Sequence, residues 1–187
     1  MNSKNILTID LDWIQNDYQK IQIISFCVNL FKNKIETFFI KSHHHAYELI
    51  PENSYLYNID HHHDICYNKE SEYLIKSNFI NEGNWVLALA KNKNLQGYTW
   101  IKNLDSDLQE HHVYDELRHL NTFKIFNKLS DLEVDKVDKV IICESLSYSN
   151  NVNLSFIFEL LKQLHKDLNC DINENIKHND FSWIKIK

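Results

Sequence analysis

Only two glycines, Gly83 and Gly97, and one proline, Pro51, occur in the 187 residues. Phosphate-cradling loops of the P-loop or dinucleotide-binding type need several glycines within a few positions, so both classes are excluded. The four cysteines (Cys27, Cys66, Cys143 and Cys170) are widely separated and form no C-x-x-C pair. That spacing argues against a zinc–thiolate site and against a disulfide scaffold, and leaves them as small core residues. Lysine and arginine form no cluster and the formal charge is −6, which speaks against a nucleic-acid partner. No apolar run approaches membrane-spanning length, and Met1-Asn2-Ser3-Lys4-Asn5 is not followed by a signal-peptide core. A cytoplasmic protein with no membrane partner is therefore expected. The chain suits one domain with a sizeable core, and its 43% hydrophobic and 25% charged residues are those of a globular protein.

Against these absences stand two histidine-rich runs, Ser42-His43-His44-His45 and Asp60-His61-His62-His63-Asp64, each at the end of an apolar stretch. The second follows Tyr55-Leu56-Tyr57-Asn58-Ile59, which reads as a strand. If the strand continues, Asp60, His62 and Asp64 share a face. Two carboxylates and an imidazole on one face are costly to bury without a cation. A metal site at the strand's C-terminal end is the economical reading. Asp10-x-Asp12 repeats the pattern after the apolar run Asn5 to Ile9.

Further along, helical periodicity covers Tyr18 to Phe31, Glu82 to Lys91, His111 to Leu120 and, most strongly, Leu154 to Leu168, with a helical turn over Ala46 to Ile50. Strands are expected at Thr37 to Ile40, Tyr98 to Ile101 and Val137 to Cys143, and Phe181 to Ile186 alternates like a closing edge strand. Such alternation predicts an α/β fold with a mainly parallel sheet. Ligands bind beyond the C-terminal ends of strands in these sheets. Asp10, Asp12, His43, Asp60, His62, Asp64 and Glu144 all fall at such ends, which points to a single site.

Four carboxylates and two imidazoles are too few for two separate octahedral ions but suit two ions sharing carboxylates and a water. A nitrogen and oxygen donor set without sulfur favours manganese, with iron, cobalt or nickel as substitutes and zinc less suited. Paired ions about 4 Å apart lower the pKa of a bridging water toward neutrality.

The same residues carry a resemblance. Asp60-His61-His62-His63-Asp64 resembles the D-A-H-x-D signature of the ureohydrolase superfamily, which includes arginase and agmatinase. Ile9-Asp10-Leu11-Asp12 is similar to its S-x-D-x-D strand, and Ser42 to Ala46 resembles its G-G-D-H-S-x-x-A segment. His43 takes the ligand position if Ala46 is matched to the family's alanine; His44 is the alternate. The nearest resemblance is to peptide arginases of ribosomal-peptide modification clusters. Here the D-x-D comes first, whereas ordinary arginases carry it late, and Ser42 replaces an aspartate.

The resemblance implies a single-domain, three-layer αβα fold of arginase type holding two Mn2+ ions. Asp60 and Asp10 would bridge the ions, His43 and Asp64 would complete one shell, and His62 and Asp12 the other. Glu82-Gly83-Asn84-Trp85 is similar to the family's S-G-N-x-H loop without its histidine, which implies Glu82 and Asn84 as substrate-facing residues. Glu144 would pair with a guanidinium in bidentate fashion. His44 or His45 would protonate the leaving amine. The implied reaction hydrolyses an arginine side chain to ornithine and urea. So short a chain leaves little room for loops that clamp a free amino acid, so an arginine-containing peptide is the expected partner.

Blander readings accompany these. Asp10 is also a plausible helix-capping acid, Glu82-Gly83-Asn84 is turn chemistry by itself, and Glu144 reads equally as a solvated strand end. His111, His112, Asp115, Glu116 and His119 fit a solvated helix face. His61 and His63 should point away from the ions, and Trp13, Trp85, Trp100 and Trp183 read as core or rim. Rival functions are a DHH-type phosphoesterase, a one-metal deacetylase of related fold, and a non-enzymatic metal- or peptide-binding module. Asp64 and the lack of a glycine-rich second domain weigh against the first.

Overall fold

Short apolar runs rich in isoleucine, valine and aromatic residues become strands because they are buried on both faces. The computed structural model describes residues 3–65, 76–104, 106, 117, 120, 122–133, 136–145, 153–168, 172–173 and 184–185. Strands β1 (Asn5–Asp10), β2 (Glu36–Ile40), β3 (Tyr55–Ile59), β5 (Gly97–Ile101), β6 (Thr122–Phe126), β7 (Lys139–Cys143) and β8 (Ile172–Asn173) form one sheet. Its order is β6-β5-β3-β1-β7-β2-β8, and every pairing is parallel. The expectation of an α/β fold with a parallel sheet is met.

Helices α1 (Asp17–Lys32) and α4 (Leu154–Asp167) cover one face; α2 (Ala46–Leu49) and α3 (Trp85–Asn92) cover the other. Alternation along the strands feeds both layers. Leu7, Ile9, Val140 and Ile142 pack with Ile23, Phe31 and Phe158, while Ile6, Leu56, Ile141 and Cys143 pack with Tyr47, Val86 and Leu89. The result is a three-layer αβα domain. Caps mark the helix starts: Asn16 accepts from Gln19 N at 2.9 Å and Asn153 from Phe156 N at 3.1 Å. The described cysteines, Cys27 and Cys143, are buried thiols. No helix among the described residues is long and apolar enough to cross a membrane.

One expectation needs correction. Ile184–Lys185 is indeed a strand, β9, but it pairs antiparallel with β4 (Phe79–Ile80) and does not close the main sheet. Among the described residues the edges belong to β8 and to β6; the half-buried residues of β6 gave too weak an alternation to be read as a strand. The expected helix over His111 to Leu120, with His111, His112, Asp115, Glu116 and His119, lies outside the described residues apart from Leu117 and Leu120. Cys66, Cys170 and Trp183 also lie outside them.

Register brings the chemistry together. Ile9 pairs with Ile59, so Asp10 and Asp60 emerge side by side; Asp10 and Ile40 both pair with Cys143, which sets Lys41 beside Glu144. At the opposite end Gly97 faces Tyr55, and a Cβ there would lie 2.3 Å from Tyr55 Cε2. The Tyr55 ring is held by Tyr57, at 4.9 Å between centroids, and by Thr99 Oγ1 at 3.2 Å. Gly97→Ala should therefore cost about 1–3 kcal/mol by overpacking. Urea denaturation checks this, and Tyr55→Ala in the same background should recover part of the loss.

Candidate metal centre

Aspartate side chains compete with the sheet ladder for backbone N–H groups, and here they end two strands. Asp10 closes β1, and its Oδ1 accepts from Asp12 N at 3.2 Å, capping a 3-10 turn over Leu11–Trp13. β3 stops at Ile59, and Asp60 Oδ1 accepts from His62 N at 2.8 Å. Asp64 then adopts φ 53°, a left-handed conformation that non-glycine residues rarely take. Asp60, His62 and Asp64 thus converge through a tight turn and not along one face of an extended strand. The carboxylates meet as expected, by a different local geometry.

β2 delivers the first histidine. After Ile40 the chain makes a 3-10 turn over His43–His45, and all three rings are buried. His43 Nδ1 lies 3.0 Å from Asp10 Oδ2, 3.1 Å from Asp60 Oδ2 and 3.0 Å from Asp64 Oδ2. None of these oxygens is aligned for a hydrogen bond with the ring, which is only 1% exposed. One imidazole nitrogen against three carboxylate oxygens is poor hydrogen-bond geometry but a good coordination edge. For metal–ligand bonds of roughly 2.1 Å, neighbouring ligands of an octahedron stand about 3.0 Å apart.

A second group adjoins the first. His62 Nδ1 lies 2.9 Å from Asp12 Oδ2, and Asp12, Asp60 and His62 present ligand atoms all within 4.8 Å of one another. Asp10, His43 and Asp60 satisfy the same limit, so Asp60 belongs to both groups. This arrangement fits two cations with a shared carboxylate.

Electrostatics favour the same reading. Burial, with the charge of Asp12, pushes the Asp10 carboxyl up to about 7. Burial and the charges of Asp64 and Asp12 hold Asp60 well above the usual range. For His43, burial alone would lower the pKa, but the Asp10 charge and the surrounding carboxylates raise it well above normal. His62 is raised too, because Asp12 outweighs burial. In Asp64 burial is outweighed in the other direction by His43, and the carboxyl sits below its usual value. Buried like charges of this kind are relieved by a proton or by a cation.

Surrounding residues hold the cluster in place. Trp85, fully buried at the start of α3, donates from Nε1 to Asp64 Oδ2 at 2.6 Å and sets its ring 4.6 Å from that of His43. Thr8 Oγ1 donates to Asn58 Oδ1 at 2.6 Å, and Asn58 Nδ2 donates to Asp60 Oδ2 at 3.2 Å. Trp100 Nε1 donates to the Asp60 carbonyl at 3.0 Å. Sequence reasoning took Trp85 and Trp100 for core or rim, and both are core residues; their polar partners were not legible, since a buried tryptophan with such a partner looks the same in sequence as one without. Trp85→Phe keeps a ring beside His43 but removes the donor to Asp64. Manganese affinity should then fall about 10–100-fold. An unchanged dissociation constant by titration calorimetry would remove Trp85 from this role.

The remaining candidates separate. Glu82 is half-buried near the cluster; burial raises its carboxyl, a hydrogen bond from Ser42 opposes this, and the Asp64 charge raises it further. Glu144 is buried at the end of β7, and its carboxylate is paired with the Lys41 ammonium. Asn84 is fully buried, and its side chain closes the turn before α3, accepting from Asn81 N at 2.8 Å. Its amide nitrogen also donates to the Phe79 carbonyl at 3.5 Å, so the side chain is engaged within the turn. His44 packs against His45, with centroids 4.4 Å apart; among the described contacts His43 is the ring that enters the carboxylates. His61 Nδ1 turns to Asn103 Oδ1 at 3.3 Å, and His63 Nδ1 accepts from Ile65 N at 3.2 Å. No family model, curated protein or solved structure matches this chain at a significant level, so the ureohydrolase resemblance rests on its motifs alone.

Proposed function

We propose that the chain is a binuclear metal hydrolase that cleaves the guanidinium group of arginine residues in a peptide, giving ornithine and urea. The observation that carries the metal assignment is His43 Nδ1 standing about 3 Å from three buried carboxylates, with Asp60 shared between two ligand groups. Asp10, His43, Asp60 and Asp64 would hold one ion; Asp12, His62 and the shared Asp60 would hold the other. The oxygen and nitrogen donors favour Mn2+, and iron, cobalt or nickel suit the same set. When bound, such a pair supplies Lewis acidity and a nucleophile derived from water near neutral pH.

The substrate assignment is supported by the motif resemblance and by the half-buried Glu82 beside the cluster. Its charge interacts with Asp64 and His43, and from there it would orient a guanidinium. Glu144 would accept one where the half-exposed Lys41 now pairs with it, since that flexible side chain can yield to a planar bidentate partner. In place of His44 or His45, Glu82 would also relay a proton: its carboxylate would take the proton released by the attacking water and pass it to the leaving amine. Its raised carboxyl is partly open, while both rings are buried against each other.

The test is incubation of the manganese-loaded protein with end-capped arginine peptides and with free arginine. Ornithine is read by mass spectrometry and urea by colorimetry. Ornithine with urea in the peptides alone is the expected result. Turnover of phosphodiesters without guanidine hydrolysis would favour the phosphoesterase. Tight uptake of two manganese ions with no turnover of either class would leave a metal-binding module.

A further inference from the structure

A cavity of about 360 Å3 opens beside the metal loops, and its wall is continuous with them. Trp13, directly after Asp12, forms part of it, as does Asn103. Asn103 donates from Nδ2 to the Trp13 carbonyl at 2.7 Å and places Oδ1 3.3 Å from His61 Nδ1. The cavity therefore sits at the C-terminal edge of the sheet, next to the loop that carries Asp12.

Its lining is rich in primary amides, of which Asn16, Gln19 and Asn103 are held by backbone partners. Gln22, Asn103 and Asn127 contribute, along with Asn16 and Gln19 at the start of α1. No hydrogen bond within the described residues ties the side-chain amides of Gln22 and Asn127. The Trp13 indole N–H is buried and also lacks an acceptor there. Lys128 is the sole charged residue of the lining. Two large apolar side chains, Tyr18 at 71% and Leu104 at 85% exposure, stand at the margin.

A primary amide offers one acceptor and two donors in a plane, the same groups that a peptide bond presents. Neutral amides therefore match an uncharged peptide backbone whatever its side chains. A phosphate or a free carboxylate would call instead for several cations, and a cation for acids. The volume lies in the range of small-ligand pockets, enough for a few residues but not for a folded partner.

We infer that this amide-lined cavity is the subsite that holds the peptide backbone flanking the target arginine, with Tyr18 and Leu104 receiving an apolar neighbouring side chain. The inference rests on the hydrolase reading for the identity of the target residue, though not for the binding itself.

The test measures binding and turnover separately. The probe is a fluorescein-labelled, end-capped heptapeptide, Ala-Leu-Ala-Arg-Ala-Leu-Ala, titrated by fluorescence anisotropy against the manganese-loaded protein. A labelled, end-capped single arginine is the comparison. The heptapeptide should bind at least tenfold more tightly, and Gln22→Ala combined with Asn127→Ala should abolish that advantage. Both positions are at least partly exposed, so the double variant should keep the wild-type melting temperature and manganese content. Leu104→Ser supplies an independent variant on the apolar margin and should weaken the heptapeptide alone. Equal affinity for the two probes, or a heptapeptide affinity untouched by the double variant, would overturn the inference. Tight heptapeptide binding without release of urea would instead retain the subsite and reject guanidine hydrolysis.

Discussion

Asp60→Ala should abolish uptake of both metal ions and all turnover, while His61→Ala should leave both nearly intact. The contrast follows from where the two neighbours point. Asp60 Oδ2 meets His43 Nδ1 at 3.1 Å, and its carboxylate belongs to both ligand groups. His61 turns instead to Asn103 and Ser106, each at 3.3 Å. Residues that merely orient a metal ligand cost about 10–100-fold when lost, so a shared ligand should exceed the upper end of that range. Misfolding is separable from this effect. Asp60→Asn retains an acceptor for His62 N–H but not the charge, and relief of buried repulsion should keep the metal-free variant at least as stable as metal-free wild type. Metal content by mass spectrometry and thermal denaturation read the two effects apart. Equal loss in the Asp60 and His61 variants would mean that the loop is assigned in the wrong phase.

Stripping the metal should destabilise the protein by an amount that grows as pH rises from about 5 to 8. The sign comes from the carboxyls held above their unfolded values. For Asp10, raised from 3.8 to about 7, the stabilising contribution is fully present below 3.8 and is lost as pH rises through about 7. Asp60 acts in the same direction, as do His43 and His62, whose contributions fade as pH rises through their raised values. Asp64 is lowered, so its contribution is present at neutral pH and lost only in stronger acid. Each proton released on this account costs the metal-free fold about 1.4 kcal/mol per pH unit. Divalent cations replace those protons and bind better as they leave. Melting temperatures in EDTA should therefore fall across this interval while those in manganese hold or rise. The gap should widen by about 3–6 °C per pH unit for a chain of this size. A gap independent of pH would show that the cluster does not exchange protons for metal.

The parallel sheet was legible because its strands are apolar on both faces, as Ile6-Leu7 and Val140-Ile141-Ile142 illustrate. The site's donor set was legible for a related reason: acids and histidines directly after such runs have no apolar partner to pack against. β6 was not legible, since residues at a sheet edge are half-buried and carry little pattern. The turn around Asn84 was not legible from its three-residue motif: its side chain accepts from Asn81 N–H and donates to the Phe79 carbonyl, contacts that depend on the fold of that loop.

Sequence alone determined the α/β class and the clustering of Asp10, Asp12, His43, Asp60, His62 and Asp64 at the strand ends, because burial patterns are local and strand direction in a parallel sheet is set by chain order. The motif match at Ala46 favoured His43 but left His44 open, and the tertiary structure decided which histidine of the tract enters the carboxylates. His43, His44 and His45 are chemically identical, and in a 3-10 turn each successive side chain rotates by about a third of a turn. The docking of that turn against Trp85 and Asp64 sets the phase. Glu144 was decided likewise: the register that aligns Ile40 with Cys143 gives it Lys41 as a partner, a pairing between residues 103 positions apart.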